Sequence, residues 1–431
     1  MNKISNNKSI PCHYPWTSIY VSPNGDIKHC CGTNLNKLGN LATQSIEEIW
    51  NGVIFQNIRE KISKGDFNGA YCNPNCQGLR TGKGYAFPEI TKDKCNEKIA
   101  NNKSLAKYNF ENKNYVVDHK PVFLQLEFSN RCNLRCIMCF YEFKTPYQFI
   151  PDVALDRLLE ISNSASGLTL MGGEVFFNKQ DLKFIDNYSA PEGAYVGFVT
   201  NGTLLNEQML EKLKKLKKMY MQISIDATSH DIYQKVRRNG NWETVDANIN
   251  RLKNMAKELS PLGYDWNFGL AFVVLKTNIS NIANSIDYAI KLNVNIGFHP
   301  VKGFHLYNEN IFVYKNALKN AGNWKLYMKE AFEIIEKNKN TYNYYNSVLE
   351  RLQDIEQCLN QPKINVSKTI ISLLYLIVPG AKKQKNQTGL TEKDRKVGHL
   401  LETYYNWRVG NVSFKLTFKY ILFKAFKRKH K

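Results

Sequence analysis

The sequence contains no hydrophobic run of the roughly 18–20 residues that a bilayer-spanning helix requires. Its longest apolar stretch, TIISLLYLIVPGA, begins at Thr369 and extends for about 13 residues, a length typical of a buried helix or a lid. The N-terminal residues MNKISNNKSIPCHYPW contain no apolar core of the kind that defines a secretory signal peptide. We therefore expect the protein to be cytoplasmic.

Cysteine is nearly missing from the larger part of the chain. Nine of the ten cysteines lie before residue 140, and Cys358 is the only one beyond it. In a reducing compartment, clustered cysteines are more often metal ligands or catalytic thiols than disulfide partners. The crowding near the N-terminus therefore favours metal binding over a disulfide framework.

Acidic residues are also scarce, since the chain has 38 Asp and Glu but 59 Lys and Arg, which gives a net charge of +21. Such a charge suits nucleic acid, anionic lipid or phosphorylated substrates, although a general lysine bias explains it equally well. The sequence has no RNA-binding motif and no internal repeat. With 431 residues, 43% of them hydrophobic, the chain is long enough for two or three globular domains.

The middle of the chain alternates predicted strands with predicted helices. Leu124, Leu126 and Phe128 alternate with polar residues, which predicts a strand. Further strands are predicted at LTLMGGE, AYVGFVTNG, MQISID, FGLAFVVLK and VNIGFHPV, and helical periodicity lies between them. Six such βα units predict an α/β fold with a parallel sheet, a partial TIM-like barrel short of the eight units that close one.

Four of the predicted strands end in residues that can carry chemistry. These are Cys132, Cys136 and Cys139 after the first strand, Gly172, Gly173 and Glu174 after the second, Thr200, Asn201 and Gly202 at the third, and Ser224 and Asp226 at the fourth. The carboxyl ends of parallel strands meet at one edge of the sheet. The sequence therefore predicts a single site there.

The first of these groups, SNRCNLRCIMC, has three cysteines in the spacing C-x3-C-x2-C. Three thiolates can hold three corners of a 4Fe–4S cluster and leave the fourth iron open to a chelating small molecule. The alternative is a zinc site that a distant His or Cys completes, because a structural zinc site takes four ligands.

CNLRCIMC followed by MGGE at 171–174 resembles the radical SAM superfamily. The resemblance implies that the open iron binds S-adenosylmethionine and that an electron donor such as flavodoxin or ferredoxin drives its cleavage to a 5′-deoxyadenosyl radical. The implied cluster ligands are Cys132, Cys136 and Cys139, and the implied cofactor-binding residues are Met138, Gly172, Gly173, Glu174, Asn201, Ser224 and Asp226. Met138 stands where the family usually has an aromatic residue, and Val175 replaces a common proline. A strand cap remains the alternative for Ser224 and Asp226, as does a surface role for Asn201.

The N-terminal block has a second cysteine pattern, C-x12-G-x4-C from Cys12 to Cys30, followed by a predicted helix with a capping box at Ser45 and Glu48. A further pair, Cys72 and Cys76, closes the block. This arrangement resembles the SPASM/twitch domains of radical SAM enzymes, although there the domain usually follows the barrel. It implies an auxiliary 4Fe–4S cluster on Cys12, Cys30, Cys72 and Cys76. The roles of Cys31 and Cys95 stay open, and a zinc ribbon is the alternative.

Composition and resemblance together divide the chain into five segments. These are a SPASM/twitch-like domain at 1–96, a polar linker at 97–120, a radical SAM barrel at 121–305, a helical region at 306–411 and a basic tail at 412–431. The tail has seven Lys or Arg, no acidic residue and an apolar helical stripe. It predicts a helix on an anionic membrane surface, with a helix packed on the barrel as the alternative.

The expected function is hydrogen-atom abstraction from a peptide or protein, assisted by the auxiliary cluster. One alternative is a radical SAM enzyme acting on a small molecule such as a sugar or glycan precursor. The other is a zinc-bearing binding module, which would leave Gly172, Gly173 and Glu174 without a role, and nucleic acid is not expected as a partner.

Overall fold

The computed structural model describes residues 12–34, 37–73, 76, 78–79, 84–85, 96–139, 147–303, 306–366, 396–398, 400–402 and 405. The predictions made for Cys95, for the apolar stretch from Thr369 and for the tail at 412–431 fall outside these residues. None of the helices in the described ranges is both long enough and apolar enough to cross a membrane.

The strands form one large sheet and one short ribbon. In chain order they are β1 Ser18–Val21, β2 Asp26–Lys28, β3 Gly39–Asn40, β4 Phe123–Glu127, β5 Arg135–Cys136, β6 Gly167–Met171, β7 Tyr195–Thr200, β8 Lys218–Ser224, β9 Arg237–Arg238, β10 Asp265–Val274 and β11 Ile296–Pro300. Within the described residues the large sheet has the order β11-β10-β8-β7-β6-β4-β1-β2-β3, and β5 pairs only with β9.

The helices lie between the strands and at the C-terminal side. They are α1 Tyr14–Thr17, α2 Ile46–Trp50, α3 Val53–Ser63, α4 Glu97–Glu111, α5 Asp152–Ser162, α6 Lys179–Asn187, α7 Glu207–Leu213, α8 His230–Val236, α9 Trp242–Leu259, α10 Ile282–Leu292, α11 Lys315–Lys319, α12 Trp324–Lys337 and α13 Tyr345–Asn360. Helix α13 packs against β11, and α12 packs against α10, so the C-terminal helices cover one edge of the sheet.

Strands β4, β6, β7, β8, β10 and β11 are consecutive parallel neighbours and coincide with the six predicted strands. Helices connect successive strands, as the right-handed crossover of parallel strands requires. The predicted α/β class and its partial barrel are therefore confirmed, and the carboxyl ends of the six strands share one edge.

The N-terminal block contributes directly to this sheet. Strand β1 pairs in parallel with β4, with Tyr20 opposite Gln125, and β2 and β3 continue the sheet in antiparallel pairing. The sheet therefore runs without interruption from the cysteine-rich block into the barrel. Sequence alone did not indicate this pairing, because a 4-residue strand gives too little periodicity to show which strand it joins.

Two local predictions differ from the structure. The single helix predicted after Ser45 is two helices, α2 and α3, although its Ser45–Glu48 capping box is present. The chain breaks at Asn51, whose side-chain amide bonds the backbone of Val117 at 2.8 and 2.9 Å. The second difference is the segment 97–120, whose linker-like composition conceals the 15-residue helix α4.

Helix α4 is anchored by polar side chains that are buried. Amino-acid composition alone does not distinguish them from exposed polar side chains. Asn102 is 8% exposed and hydrogen-bonds the backbone of Lys120 and of Ser164 at 2.9 to 3.1 Å. Buried polar groups that are fully hydrogen-bonded fix a unique arrangement. The connection between the two blocks is therefore structured and packed.

Histidine 119 makes the stability of this junction depend on pH. Its Nε2 lies 2.6 Å from the Trp16 carbonyl oxygen, which only accepts, and its Nδ1 accepts from the Asn109 amide at 3.0 Å. Burial lowers the pKa of His119 from its ordinary value of 6.5 to about 4. The unfolded chain therefore binds a proton that the folded chain does not, and stability is lost as pH falls below 6.5.

From this residue alone we expect a loss of about 2 kcal/mol between pH 7 and pH 5. Urea unfolding of the wild type and of His119→Phe at pH 7 and pH 5 measures it. The variant is less stable at pH 7, because it lacks both hydrogen bonds, but it loses less stability on acidification. Equal losses in the two proteins would show that His119 does not govern the acid response.

Candidate functional site

The three-cysteine loop leaves the sheet at the end of β4. Cys132, Cys136 and Cys139 are all half-buried, and Cys136 is held in place because β5 pairs with β9. Burial raises the pKa of the Cys132 thiol to about 12 and also raises the pKa of Cys136, with the neighbouring thiols adding to the effect. A cation bound at these sulfurs would hold them as thiolates. Three adjacent thiols of this kind fit an iron–sulfur cluster.

A closed single-ion site is not formed by the described residues, since no three His, Cys, Asp or Glu side chains among them are placed to hold one metal ion.

The glycines after β6 lie directly against the start of the cysteine loop. Gly173 donates its N–H to the Ser129 carbonyl at 2.9 Å, and Glu174 donates to the Arg131 carbonyl at 3.0 Å. A Cβ on Gly173 would lie 1.9 Å from that Arg131 oxygen, and a Cβ on Gly172 (φ +140°) would lie 2.6 Å from the Ser129 oxygen. Only glycine allows these two backbones to come so close. The structure thus brings the second predicted group beside the first.

Glu174 uses its carboxylate to join two strand ends. It is 1% exposed; Oε1 accepts from the Thr200 hydroxyl at 2.6 Å, and Oε2 accepts from the Asn201 N–H at 2.8 Å. The resemblance implied that Glu174 is one of the residues that bind S-adenosylmethionine. In the structure its hydrogen bonds go to the chain itself and fix the end of β7 beside the end of β6.

Asn201 touches the cysteine loop. Its amide nitrogen lies 3.6 Å from the Cys132 Sγ and donates to the Asn133 side-chain oxygen at 2.9 Å. It is 5% exposed, so the alternative of a surface role is wrong. Asn201 therefore links the third strand end to the first cysteine.

Ser224 and Asp226, predicted at the end of the fourth strand, differ in how deeply they are buried. Ser224 ends β8 and is half-buried, whereas Asp226 is fully buried in a left-handed conformation with φ 56°. Asp226 Oδ1 accepts from the Val273 N–H at 2.6 Å, and Oδ2 lies 2.7 Å from Arg237 Nη2. Met138, on the cysteine loop, is half-buried and packs against the core. Ser224 and Met138 stay accessible to a ligand, whereas Asp226 does not.

Arg237 was not identified from the sequence. Its side chain is 7% exposed, it pairs with Asp226, and its Nη1 lies 3.9 Å from the Cys136 Sγ. Its neighbour Arg238 is exposed. Successive residues of a strand point to opposite faces, so one of two adjacent arginines had to point inward. The sequence contains no signal for which one, because β9 has only two residues.

The N-terminal thiols also gather. Cys12, Cys30, Cys72 and Cys76 are half-buried and Cys31 is exposed. Burial raises the pKa of Cys12 to about 11 and those of Cys30 and Cys72 to about 12, and these thiols lie close enough to repel one another as thiolates. The four predicted auxiliary ligands therefore share one location, with Cys31 at its exposed side.

A polar contact joins the N-terminal block to the first strand of the barrel. The Tyr20 hydroxyl on β1 hydrogen-bonds the Glu127 carboxylate at the end of β4. Burial raises the pKa of Tyr20, and the negative charge of Glu127 raises it further. Glu127 is 4% exposed and also lies within electrostatic range of Cys31. The end of β4, where the three-cysteine loop starts, therefore lies in electrostatic range of Cys31 in the N-terminal block. Nothing in the sequence pattern paired Tyr20 with Glu127.

Two segments match known family profiles. Residues 126–265 match the radical SAM superfamily, and residues 12–77 match SPASM, an iron–sulfur cluster-binding domain. The chain is 31% identical over 242 residues to an uncharacterized protein of Methanocaldococcus jannaschii, covering 52% of this chain and 78% of that protein.

Two further relatives are proteins of named biosynthetic pathways. The Fe-coproporphyrin III synthase of Methanosarcina barkeri is 26% identical over 174 residues, which cover 39% of this chain and 41% of the synthase. The subtilosin biosynthesis protein AlbA of Bacillus subtilis, named for an antilisterial bacteriocin, is 27% identical over 141 residues, 31% of each chain. The chain thus spans less than half the length of either protein.

Proposed function

Since the chain belongs to the radical SAM superfamily and carries a SPASM iron–sulfur domain, we propose that it is an enzyme that abstracts a hydrogen atom from a peptide or protein substrate. Membership makes S-adenosylmethionine and 4Fe–4S clusters its cofactors. The observation that carries the proposal is the packing of the Gly172–Gly173 backbone against the loop that bears Cys132, Cys136 and Cys139.

In this proposal the three thiols of the loop hold the cluster that binds S-adenosylmethionine. When bound, the cluster and S-adenosylmethionine supply, after one-electron reduction by a donor such as flavodoxin or ferredoxin, the 5′-deoxyadenosyl radical that takes the hydrogen atom. Asn201 holds the first cysteine through its contact with Cys132 Sγ. Glu174 keeps the β6 and β7 ends together, so the polar backbone between Met171 and Glu174 and the Ser224 hydroxyl are left to bind the cofactor.

The N-terminal thiols Cys12, Cys30, Cys72 and Cys76 are the proposed ligands of an auxiliary cluster. Their half-buried positions favour them over the exposed Cys31. The Tyr20–Glu127 contact then joins the auxiliary domain to the first barrel strand, in electrostatic range of Cys31.

A peptide substrate is supported by the similarity to AlbA, whose name assigns it to the biosynthesis of a bacteriocin. The second candidate is a small-molecule substrate, which the similarity to Fe-coproporphyrin III synthase favours. Both candidates use the same radical, so they differ only in which molecule loses hydrogen.

Deuterium transfer separates the two candidates. The reconstituted full-length protein is incubated anaerobically with dithionite, S-adenosylmethionine and extract of its own cells grown in deuterated medium, fractionated into peptides and small molecules. Because the abstracted atom is retained on 5′-deoxyadenosine, mass spectrometry of that product reports the substrate fraction.

Labelled 5′-deoxyadenosine from the peptide fraction, lost after protease digestion, supports the peptide proposal. Label from the small-molecule fraction alone supports the second candidate. If no 5′-deoxyadenosine forms above a Cys132→Ala control, the catalytic proposal itself is wrong.

A further inference from the structure

The guanidinium of Arg237 is a buried cation placed between a carboxylate and a cysteine sulfur. Nη2 lies 2.7 Å from Asp226 Oδ2, and Nη1 lies 3.9 Å from Cys136 Sγ. The exposed side-chain fractions are 7% for Arg237 and 0% for Asp226. Neither group can exchange its partner for water, so the arrangement is fixed by the fold.

The neighbouring residues hold the Arg237 guanidinium in a position where it points at the Cys136 sulfur. Asp226 is held from its other side by the Val273 N–H, and its left-handed backbone sets the direction of its carboxylate. The guanidinium also lies in electrostatic range of the buried Glu174 carboxylate. Two strands position the contact, because Arg237 on β9 pairs with Cys136 on β5.

We propose that Arg237 is a positioning residue that holds the Cys136 sulfur by a charge-assisted N–H···S contact and raises the reduction potential of the cluster bound there. The inference rests on the proposed function, because it requires Cys136 to be a cluster ligand. Reduction adds one electron to the cluster, taken from an external reductant such as dithionite, and no bond is made or broken in that step. A fixed positive charge beside the thiolate stabilises the extra negative charge.

Asp226 has the opposite electrostatic effect in this arrangement. Its carboxylate orients the guanidinium but offsets part of its charge at the sulfur. Removing the cation alone should therefore lower the potential, and neutralising the carboxylate alone should raise it. A purely structural role for the pair predicts no such opposite shifts.

The test is an EPR-monitored redox titration of the reconstituted full-length protein with dithionite and mediators, with iron content measured in parallel. Cys136→Ala identifies the signal that belongs to this cluster. In Arg237→Gln the signal is expected to remain, but the cluster should be reduced at a more negative potential than in the wild type. In Asp226→Asn the cluster should be reduced at a less negative potential than in the wild type. Arg238→Gln is the matched control, because it removes the same charge from the exposed neighbour and should leave the potential unchanged.

An unchanged potential in both Arg237→Gln and Asp226→Asn would overturn the inference. If Arg237→Gln fails to retain iron, Asp226→Asn and Arg237→Lys decide. A raised potential in Asp226→Asn together with iron retained by the lysine supports the inference, and an unshifted Asp226→Asn rejects it. Full iron and an unaltered signal in Cys136→Ala would instead reject the ligand assignment on which the proposed function depends.

Discussion

Replacing Cys132 by alanine is expected to abolish cleavage of S-adenosylmethionine and to remove about four iron atoms per chain, the content of one 4Fe–4S cluster. The reason is that a cluster with an open iron has only three protein ligands, so loss of one cannot be compensated by a spare thiol. Cys136→Ala and Cys139→Ala should behave alike. The measurements are iron and sulfide content after anaerobic reconstitution, and 5′-deoxyadenosine by liquid chromatography.

Cys358→Ala is the matched control, since this half-buried cysteine lies on α13, far along the chain from either cysteine group. It should retain all the iron and the cleavage activity. Cys30→Ala should lose a different set of about four iron atoms, whereas Cys31→Ala should keep them because Cys31 is exposed. Zinc bound to the three-cysteine loop, or full iron in Cys132→Ala, would contradict the assignment.

The six barrel strands and the grouping of their ends were predictable from the sequence because both depend on local patterns. Alternation such as Leu124, Leu126 and Phe128 marks a strand wherever it occurs, and parallel strands necessarily end at one edge. The cysteine spacing and the adjacent glycines likewise lie in short continuous segments. Hence the sequence alone predicts which segments form the candidate site. It does not predict which of their residues face a ligand.

What the sequence did not reveal depends on contacts between distant segments. The pairing of β1 with β4 joins residues about a hundred positions apart, and a short strand has no pattern that names its partner. The partners of Glu174 and Asp226 could not be named from the sequence for the same reason, since Thr200 and Arg237 are supplied by other elements. A carboxylate near a predicted site is equally compatible with binding a ligand and with bracing the chain.

Gly173→Ala is expected to destabilise the protein by about 3 kcal/mol and to impair cluster retention, although it removes no ligand. The added Cβ would meet the Arg131 carbonyl carbon at 2.3 Å and its oxygen at 1.9 Å, both backbone atoms that cannot rotate away. Relief requires the β6 exit to separate from the cysteine loop. That separation breaks the hydrogen bonds from Gly173 to Ser129 and from Glu174 to Arg131.

The matched control is Gly167→Ala at the other end of the same strand, where the nearest atoms to a new Cβ lie at 3.5 Å, an ordinary contact distance. Its expected effect is within about 0.5 kcal/mol. Urea midpoints and iron content of both variants provide the comparison. The cluster ligands are unaltered in both proteins. Iron loss in Gly173→Ala alone would therefore show that glycine is required for the contact between the β6 exit and the three-cysteine loop. Equal behaviour of the two variants would mean that the β6 exit can move away from Arg131 at little cost. The packing of Gly172 and Gly173 against the cysteine loop would then not be what positions the cysteines.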